Sequence, residues 1–304
     1  SEGDIKECAR AFTGWTVGNA EYMEMRIRND SLWPYGRINL HFEFHPGDHD
    51  DGEKSFLGHK GRLTGDDIVD IICQQTATAR FISRHMYSFF VADEPPVTQW
   101  PYTAPRNPEA IEVLSKAYFD SGHNIGSMLR VLFNSDFFKS RESWYQKVKS
   151  PAELVSGVLR LTGEYREPHP SIQNASDYMD NMGQTLISPP SVEGWHAGIE
   201  WIDTGNLVER ANFASGKFAD TDKPGIKEMV ARFLADAGGV SSPERLLHGC
   251  LDQMGAIELS EPTLVALTEH ASKLVDMEEL DAMPERKVAE MLRMVASTPE
   301  FQRG

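Results

Sequence analysis

The chain has no apolar run approaching the roughly 18 residues that cross a bilayer. Its longest hydrophobic stretches are broken by Arg or Asp within a few positions, as at Phe89 to Asp93, so no transmembrane segment is expected. Cysteine is scarce. Cys8, Cys73 and Cys250 are odd in number and form no CxxC spacing, which excludes a zinc ribbon and suggests no disulfide framework. Cys8 and Cys73 lie in apolar helical patterns and are expected to be buried, inert thiols. There is no GxSxG elbow, no HExxH, no Walker A loop and no strand-borne GxGxxG, so the sequence names no reaction. Positive charge is short as well: 30 Lys and Arg face 46 Asp and Glu, leaving −16 over 304 residues. A surface of that sign repels phosphate backbones and anionic lipid heads, so no nucleic-acid partner is expected. One local basic cluster, Arg141, Lys147 and Lys149, reads as a solvated helix end. The opening Ser1-Glu2-Gly3-Asp4 has no initiator Met and no signal peptide, which reads as a processed or truncated start.

What is present is mostly helix with clear start signals. Ser150-Pro151-Ala152-Glu153 offers an N-cap, a Pro at the first helical position and a Glu that closes a capping box. Leu154, Val155, Val158, Leu159 and Leu161 then follow on one broad face. Ser242-Pro243-Glu244 repeats that logic, Asn107-Pro108 starts another helix, and Thr64 with Asp67 caps a third. Thr76 is read as the cap of the helix carrying Phe81, Ile82, Met86, Phe89 and Phe90. A polar stretch from Lys217 to Lys227, with Pro224 and Gly225, divides the chain into a helical core over residues 1–216 and a C-terminal helical portion over 217–304 packed on it.

One stretch departs from helix. From Arg37 to His45, Ile38, Leu40, Phe42 and Phe44 alternate with Arg37, Asn39, His41, Glu43 and His45, the pattern of a half-buried strand. Met23, Met25 and Ile27 alternate too, which suggests its hairpin partner. The fold class is therefore all-α, mainly helical, with a small β-hairpin insertion near residues 22–45. On a strand, His41, Glu43 and His45 point the same way at intervals of about 6.5–7 Å. Two imidazoles and a carboxylate so placed can close on one divalent ion, Zn²⁺ or similar, with His49 and Asp50 completing the shell. The competing reading is the solvated face of an edge hairpin. Asp48, Asp50, Asp51 and Glu53 surround Gly52 without EF-hand spacing. A turn explains them better, with Asp50 accepting backbone N–H groups, Gly52 at positive φ and Lys54 paired to Asp50.

A second candidate is the Gly/Pro-rich loop after Pro189-Pro190. Trp195, His196 and Trp201 there offer an apolar platform for a sugar or a partner, or else plug the core beneath a long loop. Asn206, Glu209 and Arg210 open the next helix and are placed to hold that loop.

Five segments, in order, carry a resemblance: Ala9-Arg10-Ala11-Phe12-Thr13-Gly14-Trp15; His49-Asp50-Asp51-Gly52-Glu53-Lys54 with Phe56-Leu57-Gly58; Thr78-Ala79-Arg80-Phe81-Ile82 through Ala92-Asp93-Glu94-Pro95; Lys147-Val148-Lys149-Ser150-Pro151-Ala152-Glu153-Leu154; and Met182-Gly183-Gln184 through Pro189-Pro190, Gly194-Trp195 and Trp201 to Arg210, Asn212 and Phe213. Together with the closing Ser297 to Gln302, they resemble the bacterial family called domain of unknown function 1800. Cys73-Gln74-Gln75-Thr76 departs from it where the family has His-Pro before the Thr. The resemblance implies no reaction. It implies an extracytoplasmic setting, a sulfatase-like protein encoded nearby as a possible partner, and a further N-terminal half that this chain lacks. Three functions follow as expectations: foremost a non-catalytic exported assembly or interaction protein, then a metal-dependent hydrolase of a polymer or ester, then a carbohydrate-binding module.

Overall fold

A computed structural model describes residues 1–18, 41–95, 103–192, 194–195, 197–202, 204–236, 239–255, 257–277 and 283–304. Among these residues there are thirteen α-helices and two antiparallel two-stranded sheets, so the mainly helical expectation holds. No helix among them is long and apolar enough to cross a membrane. The chain forms two compact units, one of Ser1–Arg84 with Asn107–Val131, the other of His85–Arg106 with Leu132–Gly304.

In the first unit, α1 (Glu2–Ala11) opens on a capping box between Ser1 and Asp4. β1 (Trp15–Gly18) pairs with β2 (His41–Phe44), Trp15 opposite Phe44 and Gly18 opposite His41. β2 is the end of the alternating stretch; the expected partner at Met23 to Ile27, and residues 37–40, lie outside the described residues. Phe42 is 60% exposed rather than half-buried and leans edge-on against Trp15. A second hairpin, β3 (Lys54–Phe56) with β4 (His59–Gly61), was not foreseen. Its turn places Leu57 and Gly58 both at positive φ, as a two-residue primed turn demands. α2 (Gly65–Cys73) starts on the Thr64–Asp67 capping box. Its Ile68 and Ile71 join Ala11 and Phe56 in a small core flanked by Cys8, Phe12 and Leu63. α3 (Thr76–Phe90) takes Thr76 as its first residue rather than its cap, and it runs on into the second unit. α4 (Pro108–Asp120) is capped by Asn107, and Tyr118 from its buried face donates to the Cys73 carbonyl at 3.0 Å. α5 (Ile125–Asn134) follows, its residues up to Val131 in this unit and the rest in the second. Cys8 and Cys73 are half-buried, short of the full burial expected.

The second unit adds α6 (Asp136–Lys139), α7 (Pro151–Thr162), α8 (Asn174–Asn181), α9 (Thr204–Ala219), α10 (Pro224–Ala235), α11 (Pro243–Met254), α12 (Glu261–Asp276) and α13 (Pro284–Ala296). α13 is the hub and packs on α9, α10, α11 and α12. Val288, Met291, Leu292 and Val295 recur at helical spacing and are wholly buried, each such side chain contributing roughly 1.5–3 kcal/mol on leaving water. Leu154 of α7, Phe218 of α9, Ile226 of α10 and Leu246 of α11 share that core. Residue 216 falls inside α9, and buried residues on both sides of it belong to the same core. Cys250 is sealed in it, and burial pushes its thiol up to about 12, which leaves it inert. The predicted caps at Ser150 and Ser242 both form.

Candidate functional site

In the first unit the residues expected in one metal shell divide into two groups. Asp50 belongs to a clasp. Arg10 grips its carboxylate with two bonds, Nε to Oδ2 at 2.7 Å and Nη2 to Oδ1 at 3.1 Å. Thr13 Oγ1 accepts the Asp50 N–H at 2.8 Å, and His49 Nδ1 meets the Thr13 carbonyl at 2.8 Å. Lys54 does not pair with the Asp50 carboxylate as expected; its ammonium donates to the backbone carbonyls of Asp50 and Gly52. Nor does Gly52 adopt positive φ. Glycine there leaves room for the clasp, because a Cβ would stand 2.7 Å from Arg10 Nη2 and 2.9 Å from Asp50 Oδ1 and would push those side-chain ends aside. The two leading family-like segments are thus two halves of one fastening.

The clasp has a pH signature. The Arg10 hydrogen bonds, then the Gly52 N–H, hold the Asp50 carboxyl at about 2, below its ordinary 3.8. A carboxyl depressed in the folded state stabilises it above the ordinary value, and that contribution fades as pH falls from 3.8 toward 2. A carbon-detected NMR titration of the Asp50 carboxyl should therefore find its midpoint near 2 and, in Arg10→Gln, clearly higher, moved toward the ordinary 3.8 but still held below it by the Gly52 N–H. Equal midpoints would refute the clasp.

His41, Glu43 and His45 do share a face of β2, as the alternation predicts. Glu43 lies between the two imidazoles, Oε1 at 2.8 Å from His41 Nε2 and Oε2 at 3.3 Å from His45 Nε2. Hydrogen bonds from His45 and then His41 lower the Glu43 carboxyl. The three are substantially exposed. Among the described residues, no group of three or more His, Cys, Asp or Glu has the geometry to hold a metal ion.

The second unit gathers the last two family-like segments, and the Asp93 end of the third, around Arg210, which is fully buried. Its Nε donates to Gln302 Oε1 at 3.0 Å and its Nη2 to the Lys149 carbonyl at 2.6 Å. Lys149 in turn donates to the Phe301 carbonyl at 2.8 Å with its ammonium over the Phe301 ring. The Lys149 N–H bonds the Gln302 carbonyl, and Val148 forms a bridge with Arg303. Gln184 accepts the Ala152 N–H at 2.8 Å, and Asp93 accepts the Val148 N–H at 2.8 Å. Lys147 and Lys149 are therefore structural donors, not the solvated helix end the sequence suggests; Lys147 reaches the Ser88 carbonyl at 2.6 Å. Burial pushes the Arg210 guanidinium down to about 10, against the opposing pull of Glu153. Burial and the Arg210 charge lower Lys149 as well. The knot ties segments together; it is an interior joint and not an open site.

Beside the knot runs the loop singled out for its tryptophans. Trp201 is 5% exposed, set in a 3-10 turn over Gly198–Ile202. Trp195 is half-buried and donates to the Thr185 carbonyl at 3.1 Å. An isolated bridge between Ser191 and Gly194 narrows the loop. His196 lies outside the described residues. The two indoles thus do not make a paired exposed platform. What the loop shows to water is aliphatic: Ile187 at 96% exposure, Val192 fully exposed, Ile199 at 77%, with Leu186 partly so. Ile187 also holds φ at 65°, a left-handed backbone that β-branched residues rarely adopt. From Glu167 to Glu209 the chain carries seven carboxylates and no Lys or Arg. This tip lies outside the tryptophan pattern that the sequence offers. Its signal is two adjacent large aliphatics, Leu186-Ile187, next to Pro189-Pro190 in a stretch of neither helical nor strand period.

No curated protein and no solved structure matches the chain. A family model does, over residues 1–303, and the motifs that meet in the Arg10 clasp and the Arg210 knot lie within that span. The expected further N-terminal half gains no support from the match. The chain belongs to the family described as protein of unknown function (DUF1800).

Proposed function

We propose that this chain is a non-catalytic interaction protein that seats the loop of residues 185–199 on a protein partner. The observation that carries the reading is Ile187. Its left-handed backbone costs on the order of 1–2 kcal/mol for an L-residue with a β-branch, and its side chain gains nothing by burial within the chain. Neither property helps the isolated fold. Both suit a contact residue presented by a loop whose base is fixed by the Trp195 hydrogen bond and the buried Trp201.

The charge pattern describes the partner. A 43-residue segment without a single Lys or Arg complements an apolar patch rimmed by Lys and Arg. That setting disfavours nucleic acid. The sulfatase-like protein implied by the family resemblance is the first partner to test, in the extracytoplasmic compartment that the same resemblance implies. A carbohydrate platform would need both indole faces, and Trp201 has none to offer.

Asparagine tolerates left-handed backbone, so Ile187→Asn should raise stability by about 1 kcal/mol while weakening binding to the sulfatase-like protein at least tenfold, read by calorimetric unfolding and by biolayer interferometry. No binding by the wild-type chain would overturn the choice of partner. Full binding by the variant would overturn the loop.

A further inference from the structure

A cavity of about 500 Å³ lies in the second unit between α12, α13 and the end of α9. The sequence builds its walls by helical spacing. His270, Leu274 and Met277 recur at i, i+4 and i+7 along α12 and its C-terminal cap, and Arg286, Glu290 and Arg293 at i, i+4 and i+7 on α13. Phe218 closes the apolar side. The volume is in the range of small-molecule sites, and none of these residues belongs to the loop of residues 185–199.

Charge decides what the cavity can take. Glu290 is already neutralised: Arg293 Nη1 holds it at 3.0 Å, while Arg293 Nε is engaged by Ser215 Oγ at 2.9 Å. Arg286 has no such partner. Its contact is the Met283 sulfur at 3.6 Å, and among the described residues no carboxylate pairs with it. His270 Nε2 is shut off from solvent without a hydrogen-bond partner, and Glu290 Oε1 stands 4.0 Å away. The Arg286 guanidinium thus lines this cavity with no carboxylate of its own among the described residues, in a chain of net charge −16. A cation finds only the occupied Glu290, and a neutral hydrocarbon leaves Arg286 without a counter-ion.

We propose that this cavity binds a small amphiphilic carboxylate, its head on Arg286 and its alkyl chain along Leu274 and Met277. Arg286 sits on an exposed edge of α13, so its substitution leaves the core intact. The test is isothermal titration of the whole chain with octanoate, octanamide and acetate. Octanoate should bind saturably, one molecule per chain. Octanamide, of the same shape without the charge, and acetate, the head alone, should each bind at least tenfold more weakly. Arg286→Glu should weaken octanoate at least tenfold, and Arg232→Glu, a surface charge outside the cavity, should leave it unchanged. No octanoate binding, equal affinity for octanamide or acetate, or octanoate binding indifferent to Arg286→Glu would each overturn the site. The octanamide and acetate comparisons need no variant and stand even if Arg286→Glu folds poorly.

Discussion

Arg210→Ala is expected to destabilise the second unit by about 3–5 kcal/mol. Three losses combine. The Gln302 side-chain oxygen loses its donor in a buried site and the Lys149 carbonyl loses its donor in a partly buried one, at roughly 1–3 kcal/mol for a buried group left unpaired. The largest of the fully buried side chains is truncated to a methyl, leaving a cavity. Against these, the guanidinium itself is held at a cost, since burial drives its pKa down to about 10. Arg210→Met, which keeps most of the volume and removes the buried charge, should therefore be milder, at about 2 kcal/mol. Urea unfolding followed by circular dichroism separates the two. A loss below about 1 kcal/mol in Arg210→Ala would mean that the hydrogen bonds do not hold the joint.

Gly225→Ala should cost about 3 kcal/mol, for a reason unrelated to backbone freedom. A Cβ at that position would stand 2.0 Å from the Leu161 carbonyl oxygen and 2.6 Å from the Thr162 carbonyl carbon. These are backbone atoms of the last turn of α7, with no rotamer to yield. Accepting the methyl means separating the start of α10 from the end of α7, and with it Ile226 from the core. Gly157, inside α7, is the control. Nothing lies within 4 Å of its Cβ position, so Gly157→Ala should stabilise by about 0.5–1 kcal/mol through helix propensity alone. Thermal unfolding of the two variants side by side checks the sign of both; Gly225→Ala as stable as wild type would contradict the close approach.

The sequence reveals those features whose causes are local. Ser150 with Glu153, Thr64 with Asp67, Asn107 and Ser242 announce helix starts because a cap and its N–H partner are three residues apart. The β3–β4 hairpin escapes notice because three-residue strands are too short to show alternation. Arg10 and Asp50 are visible separately in the family-like segments, but their pairing across forty positions leaves no periodic trace. At His41, Glu43 and His45 the alternation gives the right face, yet which groups satisfy one another depends on geometry that spacing leaves open. Buried arginines run against the general preference of that residue for water, so Arg210 reads as a loop anchor until its partners Lys149 and Gln302 are in place. Ile187 is hidden for the opposite reason: apolar residues are expected inside, and loops have no period from which to read exposure.

The bridge between residues 148 and 303 bears on how the protein is made. Lys149 and Phe301, joined by a hydrogen bond, are 152 positions apart, and closing a loop of that length costs on the order of 4 kcal/mol in chain entropy. During synthesis α7 and α9 leave the ribosome long before residue 302 does. Until then Arg210 lacks the Gln302 oxygen and the α13 face has not arrived to cover Phe218 and Leu246. The nascent unit must wait with its core open, and its final fastening is made by Gln302 and its neighbours, translated after every helix that they hold.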